Sequence, residues 1–335
     1  MNVAIKTRQP TGVPPWPLIL VEGVEKSGKS YAAAQFTASD KIGQCYWIDL
    51  GEGAADEYAA IAGAKYLVVD HDGTWHDILG QVREIHAAAA GSEKSVVLVI
   101  DSMTAAWDML KDWASARARA SKFAQKQLRE DPNAEIKPSM NLWNDAGDRH
   151  RQLMNLLMTF PGIVIMTARG KEVAALDADG RPIPKHRDYR VEGHKNLPFD
   201  ASVWVRLSRD EPPTVVGCRS VHAGIRPGVD QPLRYPEFSL EHLVFEVLGL
   251  DPGLSKAREV TELQSDEKVL ADTARAELLA FCQEQQMDPR KVAERFHQER
   301  GEELRDTLDP QAVTEFLALL QGEAAEDAAR EAEAS

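Results

Sequence analysis

The stretch Gly23-Val-Glu-Lys-Ser-Gly-Lys-Ser30 decides how the rest of this 335-residue sequence is interpreted. It matches the pattern GxxxxGK[ST], in which glycines let the backbone wrap closely around a phosphate so that several N–H groups point inward. The apolar run Leu18–Val21 precedes it, and a helix-compatible run, Tyr31–Phe36, follows it. A strand, a glycine-rich loop and a helix N-terminus in this order predict a binding site for a chain of phosphates.

The side chains of this phosphate loop have separate tasks. Lys29 is expected to reach the β- and γ-phosphates of ATP as a catalytic residue, and the Ser30 hydroxyl is expected to join the shell of a bound Mg²⁺. ATP and Mg²⁺ are therefore the predicted cofactors. The predicted nucleotide-binding residues are Gly23, Val24, Glu25, Lys26, Ser27, Gly28, Lys29, Ser30 and Tyr31.

A second motif, Val96-Val-Leu-Val-Ile-Asp101-Ser102, reads as a buried strand that ends in an aspartate. This is the Walker B arrangement, in which the carboxylate holds Mg²⁺ through water beside the phosphate loop. Asp101 is thus the second predicted metal ligand, together with Ser30. Thr167 and Arg169 follow the apolar run Ile163–Met166, and we expect them to lie beside the γ-phosphate as sensors of its loss.

Hydrolysis needs a carboxylate that orients or deprotonates the attacking water. Ser102, and not an acid, follows Asp101, so the base must come from elsewhere. The segment WIDLGEGAADEY (47–58) supplies Glu52, the predicted catalytic base. Asp49 and Glu57 in the same segment remain alternatives, as does a polar turn with no catalytic part.

Short apolar runs separated by helical stretches predict an α/β fold with a mainly parallel sheet, because strands buried on both faces lack polar alternation. The predicted strands are Leu18–Val21, Cys45–Leu50, Lys65–Val69, Val96–Ile100 and Ile163–Met166. Lys171–Pro184 is typical of a hairpin. Ala201–Leu207 and Thr214–His222 are expected to extend the sheet in antiparallel fashion.

The chain is expected to divide into an N-terminal lead-in (1–16), an ATPase domain (17–250), a helical C-terminal domain (251–322) and an acidic tail (323–335) that is flexible or weakly helical. Helices are predicted near 267–286, 289–300 and 310–321; Asp288-Pro289 and Asp309-Pro310 begin the last two with an N-cap acid and a proline. The net charge is −14, and residues 256–335 carry 10 basic and 20 acidic residues. The tail either mimics DNA, recruits a partner or only adds solubility.

Several protein classes are excluded by composition. No apolar run is long enough for a membrane span, and the first 17 residues lack the apolar core of a secretory signal. The three cysteines, Cys45, Cys218 and Cys282, are far apart and form no CxxC motif. This pattern argues against a disulfide scaffold or a zinc site and predicts a cytoplasmic location, without membrane partners.

The motifs taken together resemble the RecA-like P-loop NTPases, and more narrowly the small phage-encoded RecA-like ATPases that act as recombinases or single-strand annealing proteins. The matching segments are GVEKSGKS (23–30), WIDLGEG (47–53), VVLVIDS (96–102), IVIMTARG (163–170) and KNLPFDASVWVRL (195–207). The resemblance implies a mainly parallel sheet flanked by helices, with antiparallel edge strands. It places Glu52 at the position of the water-activating glutamate, one residue further from Asp49 than in the usual Asp-x-Glu pattern.

Two basic stretches fall where such proteins contact single-stranded DNA. In the first, which we expect to be one helix face beside Phe123, the candidate contacts are Arg119, Lys122, Lys126 and Arg129. In the second, PKHRDYRVEGHK (184–195), they are Lys185, Arg187, Arg190 and Lys195. Cations interleaved with aromatic rings suit phosphate neutralisation and base stacking. The alternatives are solvated charged faces, or contacts to the ATP of a neighbouring subunit.

The sequence therefore predicts an ATP-hydrolysing DNA recombination protein of a phage, acting in the cytoplasm of the bacterial host cell. It would bind single-stranded DNA as an ATP-dependent homo-oligomer, a ring or a filament, and promote annealing or strand exchange. Single-strand-binding protein or other recombination and replication proteins are further candidate partners. The alternative functions are a helicase-type translocase or helicase loader, and a nucleotide-gated binding protein with little turnover.

Overall fold

The computed structural model describes residues 5, 7–51, 53–177, 179–223, 233–235, 237–260 and 266–333. The chain divides into two compact units, Met1–Val260 and Thr261–Ser335. The division falls after the predicted boundary at 250, because residues 251–260 contact the lead-in: the Trp16 N–H donates to the Lys256 carbonyl at 3.1 Å. Among the described residues, no helix combines the length and the apolarity that crossing a membrane requires.

The first unit is built on one sheet, in which the described residues form nine strands. The strands are β1 (Leu18–Gly23), β2 (Cys45–Asp49), β3 (Leu67–Val68), β4 (Val97–Asp101), β5 (Ile163–Leu176), β6 (Pro182–Glu192), β7 (Val203–Leu207), β8 (Thr214–Cys218) and β9 (Leu233–Arg234). The order is β3-β2-β4-β5-β1-β7-β8-β9, with β6 paired to β5. Neighbours from β3 to β7 in this order are parallel, whereas β6, β8 and β9 are antiparallel to the strands they join.

The prediction that the strand at Ala201–Leu207 joins the sheet in antiparallel fashion is wrong, because β7 runs parallel to β1. The segment after the hairpin accounts for the difference. β6 ends at Glu192 opposite Arg169, which is level with Gly23 at the end of β1, and residues 193–202 then carry the chain to the edge where the parallel strands begin. There the Ser202 N–H donates to the Leu18 carbonyl at 2.8 Å. Only β8, at Thr214–Cys218, has the predicted antiparallel direction.

Helices cover both faces of the sheet. They are α1 (Lys29–Phe36), α2 (Ala55–Tyr58), α3 (Trp75–Ala90), α4 (Met103–Ala120), α5 (Lys122–Glu130), α6 (Met140–Met158), α7 (Leu197–Asp200) and α8 (Leu240–His242), which continues into a π-helical turn at Leu243–Val247. Leu20 packs with α3, α4 and α6 on one face, and Ile19 packs with α1 and the π-helical turn on the other. Burial on both faces explains the continuous apolar runs, and the predicted α/β fold class is confirmed.

The second unit, where it is described, consists of α9 (Asp266–Glu284), α10 (Pro289–Arg300) and α11 (Pro310–Glu333) around a small apolar core. Asp288 and Asp309 cap α10 and α11 by accepting the N–H groups of Arg290 and Gln311, each at 2.9 Å. The helical C-terminal region is thus present. The backbone of α11 extends to Glu333, through the segment for which we expect a flexible or weakly helical tail, and its alanines and glutamates are strong helix formers.

Candidate active site

The phosphate loop connects β1 to α1, and two glycines shape it. A Cβ atom at Gly23 would lie 2.2 Å from the Leu207 carbonyl oxygen and 2.6 Å from Ser27 Oγ, so only glycine fits between β1 and β7. Gly28, the residue before α1, has a φ of 92°, in the left-handed region that favours glycine. The first and last glycines of the motif are therefore required by packing and by backbone conformation respectively.

The loop is shaped as a cradle for an anion. Lys29 Nζ donates to the carbonyl oxygens of Gly23 and Val24 at 3.0 and 2.9 Å, which holds the ammonium group across the loop. Ser27 Oγ is buried and has no hydrogen-bond partner among the described residues. Inward polar groups, a lysine and the N-terminus of an eight-residue helix suit a chain of phosphates.

A cavity of about 290 Å³ brings the separate sequence motifs together. The predicted residues that line it are Glu25, Lys26, Gly28, Lys29, Ser30, Asp101 and Arg169. Val24 and Ser27 lie in the loop itself, between β1 and α1. Tyr31 is half exposed and packs edge-on against Tyr58, with ring centroids 6.0 Å apart. Tyr58 also lines the cavity. The sequence interpretation missed it because a tyrosine in a short helix carries no motif.

Asp101 ends β4 beside this cavity and is only 1% exposed. The hydroxyl of Thr167, on neighbouring β5, donates a hydrogen bond to Asp101 Oδ1. Thr167 is fully buried and supports Asp101, whereas the predicted sensor Arg169 is exposed and lines the cavity.

The carboxylate of Asp101 and the hydroxyl of Ser30 are oxygen ligands of the kind that Mg²⁺ prefers. The described residues contain no cluster of three or more histidine, cysteine or acidic side chains suited to a metal. The donor set therefore fits a magnesium ion that takes its remaining ligands from phosphates and water, as is usual for this metal in nucleotide sites.

Of the three candidates for the catalytic base, the structure describes two, and these two have different surroundings. Glu52, the predicted base, lies outside the described residues. The Asp49 carboxylate accepts N–H groups from Gly51 at 3.1 Å, Gly53 at 3.0 Å and Ala55 at 3.4 Å, so it organises the turn that follows β2. Glu57 is exposed on α2. Asp49 thus has a structural role in this turn, and the assignment of the base to Glu52, with Asp49 and Glu57 as alternatives, stays a prediction.

The first basic stretch is not one continuous helix face. Arg119 lies in α4, which ends at Ala120, and Ser121 begins a new helix because its Oγ accepts the Ala124 N–H at 3.2 Å. Lys122, Lys126 and Arg129 lie together on α5, where Phe123 is 80% exposed. The segment after α5 contributes Lys137, which lines a cavity of about 730 Å³ together with Lys122 and is ion-paired with Glu135 at 3.5 Å. Counting residues along one helix could not identify this lysine.

The second basic stretch lies on the β5–β6 hairpin and just beyond it. Arg190 is exposed on β6, opposite Lys171 in the register of the hairpin. Lys195 is exposed in the segment between β6 and α7. Lys185 and Arg187 belong to β6 by their backbone, but their side chains lie outside the described part of the structure.

A sequence model of the AAA domain family matches residues 17–210, which is more than half of the chain and includes the phosphate loop, Asp101 and Arg169. The chain belongs to the AAA domain family. Among curated proteins, none matches it. Within this AAA domain, the mainly parallel sheet lies between helical layers and the phosphate loop follows β1.

Solved structures give more distant likenesses to this AAA domain protein. The RadB recombinase is 14% identical, with 60% of this chain and 80% of that chain covered and a TM-score of 0.33. An ATPase from the type III secretion system of pathogenic bacteria is 14% identical, with 90% and 73% covered and a TM-score of 0.35. The flagellar accessory protein FlaH from Methanocaldococcus jannaschii is 13% identical, with 61% and 78% covered and a TM-score of 0.30. Likenesses this low carry no argument about function.

Proposed function

We propose that this protein hydrolyses ATP in the cavity between the phosphate loop and Asp101. The observation that carries the proposal is that one cavity of about 290 Å³ is lined by Lys29, Ser30 and Asp101, residues from separate motifs. Their chemistry is that of nucleotide hydrolysis: a cation for the phosphates, and a hydroxyl and a carboxylate for a metal.

Each residue of this site has a definite task in the proposed reaction. Lys29 Nζ binds the phosphate oxygens and stabilises the charge that develops on the γ-phosphate, and Arg169 lies at the same cavity to sense that group. Thr167 fixes the orientation of the Asp101 carboxylate. Ser30 and Asp101 would hold Mg²⁺, which would supply further positive charge beside the phosphates. Glu52 orients the attacking water.

The further proposal is that ATP binding favours a homo-oligomer that holds single-stranded DNA and promotes annealing or strand exchange in phage recombination. Exposed cations beside Phe123 on α5 support it, because phosphate neutralisation combined with stacking binds single strands without sequence preference. The exposed Arg190 on the β5–β6 hairpin and the exposed Lys195 beyond it support it through phosphate neutralisation. We propose single-strand-binding protein or another recombination protein as a partner, and the bacterial cytoplasm as the location.

ATP turnover with and without single-stranded DNA tests the enzymatic part of the proposal. We expect magnesium-dependent phosphate release that an oligothymidine accelerates and that Lys29→Ala abolishes. Glu52→Gln is expected to lower turnover while leaving nucleotide affinity within about twofold, because a water-orienting base acts in the transition state and not in binding. Wild-type turnover in Glu52→Gln would contradict the assignment of Glu52.

The salt dependence of DNA affinity tests the role of α5. Replacing Lys122, Lys126 and Arg129 with alanine is expected to weaken binding of an oligothymidine and to reduce the slope of log K against log salt by about 2, at roughly 0.7 per lost phosphate contact. The matched control replaces three other exposed cations, Lys65, Arg83 and Lys94, and changes the net charge equally. Equal effects of both triple variants would contradict a specific role of α5.

One observation favours the alternative of a nucleotide-gated binding protein with little turnover. Ser102, at the position where many P-loop enzymes carry a second acid, instead caps α4 by accepting the Ala105 N–H at 3.3 Å. Under this alternative, ATP binds and DNA affinity responds to it, but phosphate release does not rise above that of Lys29→Ala. Oligomer formation with a non-hydrolysable ATP analogue, followed by light scattering, would then persist without turnover.

A further inference from the structure

Glu22, directly before the phosphate loop, is a fully buried carboxylate that the proposed reaction does not use. Its Oε1 accepts from Arg206 Nε at 2.5 Å, and Arg206 is its register partner on β7. Its Oε2 is buried and has no hydrogen-bond partner among the described residues. Burying an unpaired carboxylate destabilises the folded state, so the ion pair with Arg206 is what stabilises Glu22 in this position.

The carboxylate of Glu22 lies between the start of the phosphate loop, at Gly23, and the start of the β5–β6 hairpin, at Gly170. A Cβ atom at Gly170 would fall 1.9 Å from Glu22 Oε2 and 3.4 Å from the Gly23 nitrogen. The absence of a side chain at Gly170 therefore creates the space that the carboxylate fills. A shift of Gly23 on nucleotide binding would move Glu22 against Gly170, because no free volume separates them.

Arg206 extends the contact to both strands of the hairpin. Its guanidinium lies 4.3 Å from the ring centroid of Tyr189, on β6. The Tyr189 hydroxyl donates to Glu172 Oε1, on β5, at 2.9 Å, and this hydrogen bond raises the pKa of Tyr189, which keeps the hydroxyl protonated. Glu22, Arg206, Tyr189 and Glu172 thus form a continuous chain of contacts, called the polar chain below.

A second contact ties the other side of the nucleotide site to the same hairpin. Thr104, in the first turn of α4 and close to Asp101 in sequence, donates from Oγ1 to the Glu192 carbonyl at 2.5 Å and accepts the Arg169 N–H at 2.8 Å. Arg169 and Glu192 face each other at the base of the hairpin. The hairpin is therefore anchored to the start of the phosphate loop and to the first turn of α4, which follows Asp101.

We propose that Glu22, Arg206 and Tyr189 are positioning residues that transmit the occupancy of the phosphate loop to the β5–β6 hairpin, whose cations then receive single-stranded DNA. The inference rests on the proposed function. Coupling between two sites is reciprocal, so DNA on the hairpin raises nucleotide affinity by the factor by which nucleotide raises DNA affinity. The polar chain acts through contacts and does not touch the reacting phosphate.

Two measurements on the full chain test this inference. The first is hydrogen exchange of the amides at 182–192 with and without a non-hydrolysable ATP analogue and Mg²⁺, which requires no DNA. The second is the ratio of the analogue's Kd values without and with an oligothymidine. In the wild type we expect the analogue to slow hairpin exchange and the ratio to lie within about 5- to 150-fold.

The decisive variants change the aromatic contact without exposing a buried charge to the core. Tyr189→Leu removes the ring under Arg206 and is expected to abolish the nucleotide-dependent change in hairpin exchange and to bring the Kd ratio close to one. Tyr189→Phe keeps the ring and is expected to restore most of both. Lys41→Met, which removes a cation 5.0 Å from the Phe245 ring elsewhere in this unit, is expected to leave both unchanged.

The outcomes separate this inference from the proposed function. If Tyr189→Leu keeps the wild-type response of hairpin exchange to nucleotide, the polar chain is only structural and the inference is overturned. If the wild type shows that response and Tyr189→Leu loses it while no variant binds DNA, the coupling stands and the proposed DNA function fails. Glu22→Gln combined with Arg206→Met, which removes both charges together, must reproduce the loss seen in Tyr189→Leu.

Discussion

Thr167, within β5, and Asp101, at the end of the neighbouring parallel strand β4, form a fully buried polar contact. We expect Thr167→Val to lower the free energy of unfolding by about 1–3 kcal/mol, because Asp101 keeps its buried charge but loses a donor. It should also weaken the magnesium dependence of nucleotide binding. Denaturant unfolding and titrations at varied Mg²⁺ measure the two effects. Thr167→Ser keeps the hydroxyl, and equal behaviour of the valine and serine variants would contradict this role.

His150 on α6 is buried, stacks on His194 with ring centroids 4.3 Å apart, and meets Trp107 edge-on. Burial, and secondly the nearby His194, lowers the pKa of His150 to about 3. The folded state therefore holds this imidazole neutral, whereas the unfolded chain protonates it below its ordinary pKa of about 6.5. The contribution of His150 to the free energy of unfolding is fully present above about pH 6.5 and is lost progressively as the pH falls towards 3.

The comparison of wild type with His150→Phe measures this pH dependence. The free energy of unfolding of the wild type should fall more steeply between about pH 7 and about pH 5 than that of His150→Phe, which keeps a ring but cannot titrate. Acidic residues contribute equally to both proteins, so the difference isolates the imidazole. Parallel pH profiles would show that His150 does not titrate as its burial implies.

Site residues that belong to a binding motif could be predicted from the sequence. Site residues that reach the cavity only through the path of the folded chain could not. Lys29, Ser30 and Asp101 occupy positions that phosphate and metal binding require, so their spacing alone indicates the cavity they line. Tyr58 enters the same cavity only because the turn organised by Asp49 starts α2 beside the loop. No pattern in the sequence records that geometry.

The junction of β1, the phosphate loop and β7 depends on the missing side chain of Gly23. We expect Gly23→Ala to lower the free energy of unfolding by at least about 3 kcal/mol and to prevent nucleotide binding, because its Cβ would meet the Leu207 carbonyl at 2.2 Å. Gly80→Ala, inside α3 and with nothing within 4 Å of the new Cβ, is the control. It should stabilise the protein by about 0.5–1 kcal/mol. Thermal unfolding and nucleotide titration measure both.

The strands could be predicted because burial on both faces leaves an apolar run without alternation, as in Val97–Asp101. The direction of β7 could not, because it depends on the path of residues 193–202, which carry the chain from the end of β6 to the start of β7. The break between α4 and α5 was also missed, since the basic spacing continues through Ser121 although the backbone does not. Local capping by Ser121 outweighed the periodicity of charge in that segment.

The two units have separate apolar cores, and the core of the second includes Phe296 and Phe316, packed edge-on at 5.2 Å between ring centroids. We expect Phe316→Ala to destabilise the second unit by about 3–5 kcal/mol while leaving nucleotide affinity unchanged. Calorimetric unfolding should show a lowered transition that an ATP analogue does not shift, and a second transition that it raises. A loss of nucleotide affinity would contradict the independence of the units.

The central claim is that the loop from Gly23 to Ser30 and Asp101 together bind the phosphates of ATP with Mg²⁺. Isothermal titration of the full chain with a non-hydrolysable ATP analogue tests it most directly. We expect binding at one site per chain that requires Mg²⁺, is weakened in Asp101→Asn, and is lost in Lys29→Ala although that variant remains folded. Absence of binding by the wild type, or undiminished affinity in Lys29→Ala, would contradict it.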